Sequence, residues 1–282
     1  MLRKLEVFSS NPSAPELPLG GFMPNDDPVQ IRSIDGLGPV KAELASTAFA
    51  SGRGELFQGS SIGKRNIVMT LGLNPNWVDQ TMATLRQQLY AYFLPEAWTK
   101  LRFFSDHMPT VDIEGIVEGF EPNIFSQDPE IQVSVLCHRP DFIDIDATLY
   151  EGVVDDGTAE LEFVYAGTVA TGFELRIDAT VTNMSYTGNF TVRNKAPEAP
   201  QDFAIEGVLV DTTKYFKLNS VRNYKRAQIV SKADGMITNL LSKVTPASVW
   251  PEIRPGINLF SVAAAETGQE WVLAYYNRFG GL

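Results

Sequence analysis

Apolar residues in this chain recur at every second position, segment after segment, and take helical spacing once. A period of two sends alternate side chains to opposite faces of a strand, whereas a period near 3.6 lines one face of a helix. Ile131, Val133 and Val135 alternate with Gln132 and Ser134, and Ile67, Met69 and Leu71 alternate with Val68, Thr70 and Gly72. Strands written this way must bury one face against other elements, so the fold class is mainly β. The helical stripe is Val78, Met82, Leu85, Leu89 and Phe93. Asn74-Pro75 offers it an N-cap and a first-turn proline, and Pro95 stops it.

Further strands are expected at 2–8, 29–34, 100–104, 111–120 and 130–136. Residues 40–49 and 62–73 read as the two arms of a projecting hairpin, joined by the Gly- and Ser-rich link 50–63, whose tip carries little apolar content beyond Leu56 and Phe57. His138-Arg139-Pro140-Asp141 follows a strand, and proline ends a ladder, so a boundary is expected there, between domains 1–140 and 141–282. Beyond it, strands at 158–165, 173–181, 189–192, 203–210, 215–218, 227–230, 258–262 and 271–276 alternate with turn signals, with one helical turn at 239–244. That rhythm indicates a β-sandwich or jelly roll.

The composition excludes several functions. A net charge of −11 opposes phosphate backbones and anionic membrane surfaces, so neither sequence-specific nucleic-acid binding nor membrane insertion is expected. No run approaches the ~20 apolar residues of a membrane span. Pro12, Pro15 and Pro18 interrupt any signal-peptide core, and the single cysteine, Cys137, suits synthesis in a reducing cytoplasm. No catalytic residue, cofactor or metal site is expected, and the chain does not read as an enzyme. The two histidines lack ligand partners at metal-site spacing, and Cys137 and His138, adjacent on a strand, point to opposite faces. Residues 59–65 miss a phosphate-binding loop by one position, with Arg65 where a Ser or Thr would hold magnesium. Asp141, Asp144 and Asp146 cluster without the glycine and terminal glutamate of a calcium loop. Trp250 and Trp271 are candidates for glycan contact, because an exposed indole can stack on a sugar; packing in the sandwich core is the commoner use of so large a side chain.

Several stretches, in their order along the chain, resemble the distal tail protein family of siphophages. The run from Val117-Glu118-Gly119-Phe120-Glu121-Pro122 through Phe125-Ser126 to the strand ending at Val135 is similar to that family's Phe-Glu-Pro and Phe-Ser segment. Cys137-His138-Arg139-Pro140 stands where the family has a Cys-Pro-like pair, with two residues inserted. Lys64-Arg65-Asn66-Ile67-Val68-Met69-Thr70, Trp250-Pro251 with Pro255-Gly256-Ile257-Asn258, and the final Tyr275 with Arg278-Phe279-Gly280-Gly281 continue the likeness. The resemblance implies an N-terminal β-rich domain with one α-helix and a projecting hairpin, followed by a galectin-like β-sandwich. It implies a structural virion protein at the distal tail tip, made in the host cytoplasm. Its N-terminal domains would close into a hexameric ring that joins the tail tube protein to a tail-associated hub or lysin protein, with receptor-binding proteins held by the sandwich in some members. Lys64, Arg65, Ile67 and Met69, on the second hairpin arm, are the expected oligomer interface. The alternative is a carbohydrate-binding host-attachment module carried by the sandwich.

Overall fold

The period-two pattern becomes nineteen strands among the described residues, with one α-helix and one short 3-10 turn. The computed structural model describes residues 2–10, 16–19, 27–49, 52–75, 81–123, 129–154, 157–179, 186–195, 200–263 and 268–282. Two compact units form: residues 1–145 with 279–282, and residues 146–278.

In the first unit, β1 (Leu2–Ser9), β2 (Leu17–Leu19), β3 (Val29–Asp35), β4 (Ala42–Ala48), β5 (Glu55–Ile62) and β6 (Arg65–Leu73) precede the helix α1 (Met82–Phe93). β7 (Trp98–Ser105), β8 (Val111–Pro122), β9 (Glu130–Cys137) and the start of β10 (Phe142–Val154) follow it. Antiparallel pairing gives the order β2-β1-β7-β8-β9-β6-β3. β8 pairs with β7 through its first half and with β9 through its second, and a bulge between Val117 and Gly119 bends it between the two. The inward positions of these strands, among them Leu5, Val7, Met69, Leu71, Phe103, Val133 and Val135, pack with Leu85, Leu89 and Phe93 of α1 in one core.

Two expectations change here. Thr81, not Asn74, caps α1: its hydroxyl accepts from the Thr84 N–H at 3.2 Å while the Thr84 hydroxyl accepts from the Thr81 N–H at 2.9 Å. This reciprocal capping box satisfies two orphan donors locally, a pairing that a proline six positions upstream cannot supply. Val78 lies outside the described residues. The second hairpin arm is β5, not residues 62–73. β6 leaves the hairpin at Gly63-Lys64 and runs between β3 and β9, because its apolar face has a core to enter and that of β5 has none.

The second unit holds the rest of β10 and β11 (Thr158–Tyr165), β12 (Glu174–Ala179), β13 (Tyr186–Asn194), β14 (Gln201–Val210), β15 (Lys214–Asn219), β16 (Arg226–Ser231), β17 (Ile237–Asn239), β18 (Gly256–Ala263) and β19 (Gln269–Phe279). One sheet runs β17-β16-β15-β12-β19-β10 and the other β11-β18-β13-β14. Their inner faces meet through aromatic side chains: Phe190 of β13 stacks on Phe216 of β15 at 5.4 Å, and Phe163 of β11 on Tyr275 of β19 at 5.5 Å. Such pairs add about 0.5–1.5 kcal/mol each beyond their burial. This unit is a β-sandwich. Asp144 and Asp146, two of the clustered carboxylates, lie on β10, a thirteen-residue strand.

Candidate functional site: an exposed ribbon and its anchor

β4 and β5 stand apart as a two-stranded sheet of their own. The turn is closed by the Phe49 N–H donating to the Gly54 carbonyl at 3.5 Å, and the Ser46 hydroxyl bonds the Glu55 carboxylate across the pair. Every residue of β4 is exposed, as are all of β5 except the half-buried Gly59. A ribbon in water should be polar on both faces, yet Leu44, Leu56, Phe57 and Ile62 are 68%, 56%, 62% and 62% exposed.

The register sorts these residues. Ala42 opposes Ile62 and Leu44 opposes Ser60, so these four share a face. Ala45 opposes Gly59 but Ser46 opposes Phe57, so Gln58 is the extra residue of a bulge. Without the bulge Phe57 would join the opposite face; with it, Phe57 stands beside Ser46 on the face of Leu44 and Ile62. Leu44, Phe57 and Ile62 thereby share one side of the strand pair, while Leu56, opposite Thr47, lies on the other; among the described residues no further strand pairs with either edge. Apolar content on an otherwise Gly- and Ser-rich segment was the available signal for this surface, and Leu56 and Phe57 were visible in it.

The expected interface residues divide. Lys64 is exposed in the link between β5 and β6. Arg65, Ile67 and Met69 are corrected: all three are buried in the first unit, Ile67 and Met69 completely, and cannot meet a neighbouring subunit. Alternation reads the same for an arm and for a central strand, and β6 is the latter.

Arg65 has another task, at the ribbon's root. Its Nε donates to the Pro140 carbonyl at 2.7 Å, Nη1 to Gly36 and Gly38 at 2.5 and 2.6 Å, and Nη2 to Gly280 at 2.6 Å. The guanidinium also lies over the Phe142 ring, 4.6 Å from its centroid. A planar five-donor fork can satisfy four carbonyls at once, which no other side chain can do. Burial pulls the Arg65 pKa below its ordinary value, and Cys137 and Asp141 act against that. Burial likewise pushes the Cys137 thiol up to about 11, with Arg65 pulling the other way. The carbonyl cage escaped sequence reading because its members are turn residues scattered along the chain.

The glycan candidates divide as well. Trp271 points into the sandwich and is 5% exposed, with the chain at Gly152 against its ring. Trp250 is half-buried, packs on Phe203 at 4.8 Å and has the Lys225 ammonium 5.9 Å from its ring, so of the two indoles only Trp250 keeps exposed surface.

Residues 59–63 spell the Gly-x-Ser-x-Gly of a nucleophile elbow, but they lie in exposed strand β5 and its link to β6, without the strand-to-helix turn that makes such a serine reactive. Among the described residues no group of three or more His, Cys, Asp or Glu is placed to hold a metal ion, and no helix is long and apolar enough to cross a membrane.

No family model and no curated protein matches the sequence. Solved structures do resemble it. The crystal structure of the SPP1 Dit (gp 19.1) protein, a paradigm of the hub adsorption apparatus in phages that infect Gram-positive bacteria, superposes with a TM-score of 0.66 over 96% of this chain and 98% of its own, at 12% identity. The chain has the Dit fold. Chains of the phage P2 baseplate in its activated conformation with Ca or with Sr give TM-scores of 0.42 and 0.41, at 10% and 11% identity. The Dit fold accounts for both units of the chain, since the likeness covers nearly its whole length.

Proposed function

We propose that this chain is a structural, non-enzymatic component of a phage tail tip, in which copies associate into a ring through the β4–β5 ribbon. The observation that carries the proposal is the ribbon itself: an isolated two-stranded sheet with Leu44, Phe57 and Ile62 on one face and no cover from its own chain among the described residues. A two-stranded ribbon is marginal in water, and open edges that stay unpaired invite strand addition. A partner strand can add to either edge through backbone hydrogen bonds while the apolar face packs on its sheet. Closed rings are built from such heterologous contacts, each copy giving one surface and receiving another. The Dit fold supports the same placement, with the ring, expected as a hexamer, between the tail tube protein and a tail-associated hub or lysin protein. In this reading any contact with receptor-binding proteins belongs to the second unit. The carbohydrate-binding alternative has lost Trp271 to packing and keeps the half-buried Trp250.

Light scattering on size-separated protein tests the reading. The wild-type chain should elute as a closed oligomer several times the 31.1 kDa monomer. Leu44→Ser with Phe57→Ser should elute as a folded monomer with unchanged circular dichroism, because neither side chain supports a core. A wild-type chain that remains monomeric at high concentration, or a double variant that assembles normally, would overturn it.

A further inference from the structure

The root of the ribbon is closed by residues 279–282. Arg65 ties Gly36 and Gly38, on the side where the ribbon leaves the unit, to Pro140 and Gly280, which are 75 and 215 positions from it. The Leu282 N–H donates to the Leu37 carbonyl at 3.0 Å, and Phe279 is buried in the first core. Gly281 runs so close to the same turn that a Cβ there would sit 2.9 Å from both Cδ and N of Pro39. Residues 279–282 thus complete the first unit although the second unit precedes them.

One position upstream the chain is held in the second unit. The Arg278 N–H donates to the Tyr165 hydroxyl at 2.8 Å, and its carbonyl accepts from Thr168 at 2.9 Å and Val169 at 3.2 Å. Arg278 belongs to β19, which pairs with β12 inside the sandwich. A free tail would have to close a loop spanning the whole second unit to reach Arg65, and closure costs more as the loop lengthens. Folding of the sandwich removes much of that cost, since β19 then lies beside β10, the strand by which the chain entered.

We infer that residues 279–282 are a completion latch on the ribbon: the root is locked in its docking geometry only once the second unit has folded and delivered the tail. A chain whose second unit is unfinished keeps a loose ribbon. Its ribbon then pays more entropy on docking, so incomplete copies are disfavoured in assembly. The latch stands on the root geometry alone; only this last consequence rests on the ring reading.

Trypsin reads the root directly, because exposed Lys41 and Lys64 flank the ribbon and Arg53 lies near its tip. The full chain carrying Leu44→Ser and Phe57→Ser is used as background, so that assembly cannot shield the ribbon. Adding Gly281→Val, which drives the tail from the Pro39 turn, should speed cleavage at Lys41 and Lys64 at least about tenfold, while the rate at Arg53 changes less than about twofold. Phe190→Ala, which weakens only the second core, should do the same at Lys41 and Lys64. Wild-type rates at both lysines in Gly281→Val overturn the latch, and that variant carries the test alone if Phe190→Ala fails to fold. A ring that forms despite Leu44→Ser and Phe57→Ser would count against ribbon docking and leave the latch standing.

Discussion

Arg65→Met removes every donor from the carbonyl cage while keeping an unbranched stem of similar reach. Four hydrogen bonds of 2.5–2.7 Å disappear, together with the stacking over Phe142. Hydrogen bonds from a charged donor contribute about 1.5–3 kcal/mol each. Their sum overstates the loss, because Gly36 and Gly38 are exposed and water can replace the guanidinium at those carbonyls. The variant also no longer has to desolvate a charge, which costs several kcal/mol. The net destabilisation should be about 2–4 kcal/mol, a large share of the ~5–15 kcal/mol that holds a domain folded. Arg65→Lys should fall between, since one ammonium with three donors cannot span four acceptors in a plane. Two units make a single global transition an unsafe measure, so the assay is native-state hydrogen exchange of β6 and β9 amides against urea. A loss below about 0.5 kcal/mol in Arg65→Met would show that the cage contributes little and would refute the role of Arg65 as the anchor of the ribbon's root.

Two further perturbations probe other parts of the molecule. Gly152→Ala places a Cβ 2.6 Å from Cζ2 and 2.8 Å from Cε2 of Trp271, so it should cost about 1–3 kcal/mol and lower the melting temperature of the second unit, with a shift in tryptophan emission; an unchanged melting curve would mean the indole is free to move. Cys137 titrates near 11 in the folded chain, above its unfolded value, so the contribution of the buried neutral thiol is fully present below the unfolded pKa and is lost as pH rises towards 11. The stability gap between Cys137→Val and wild type should therefore widen in favour of the variant from about pH 9 upwards; a gap that is flat with pH would contradict it.

The fold class was legible because alternation is a local signal. Ile131, Val133 and Val135 of β9 show their inward face in the sequence and are completely buried. What escaped was whatever depends on distant partners. β6 and an exposed hairpin arm carry the same alternation, and only β3 and β9 on either side make β6 a central strand. β10 was obscured by Asp144 and Asp146, which look like turn residues until the strand beside them is known. Arg65 looked like a charged end to an arm because nothing near it in sequence announces carbonyls contributed from 75 and 215 positions away. Trp271 could not be assigned to a surface or a core by identity alone, since an indole serves in both.

The ribbon and its anchor make most sense as one device. A flexible ribbon bearing Leu44, Phe57 and Ile62 could collapse onto its own body or onto any open sheet edge, and either outcome would remove it from specific assembly. In the proposed ring, a root fixed by four carbonyl bonds and by residues 279–282 lowers the entropy that docking would have to remove, so affinity gained in this way needs no additional contact area. The bulge at Gln58 decides which large side chain joins Leu44 and Ile62: it brings Phe57 to their face and leaves Leu56 on the other, with Glu43, Thr47 and Ser61. Orientation at the root and sidedness along the strands together select which surface a partner can cover, and that selection distinguishes a designed contact from an aggregation-prone edge.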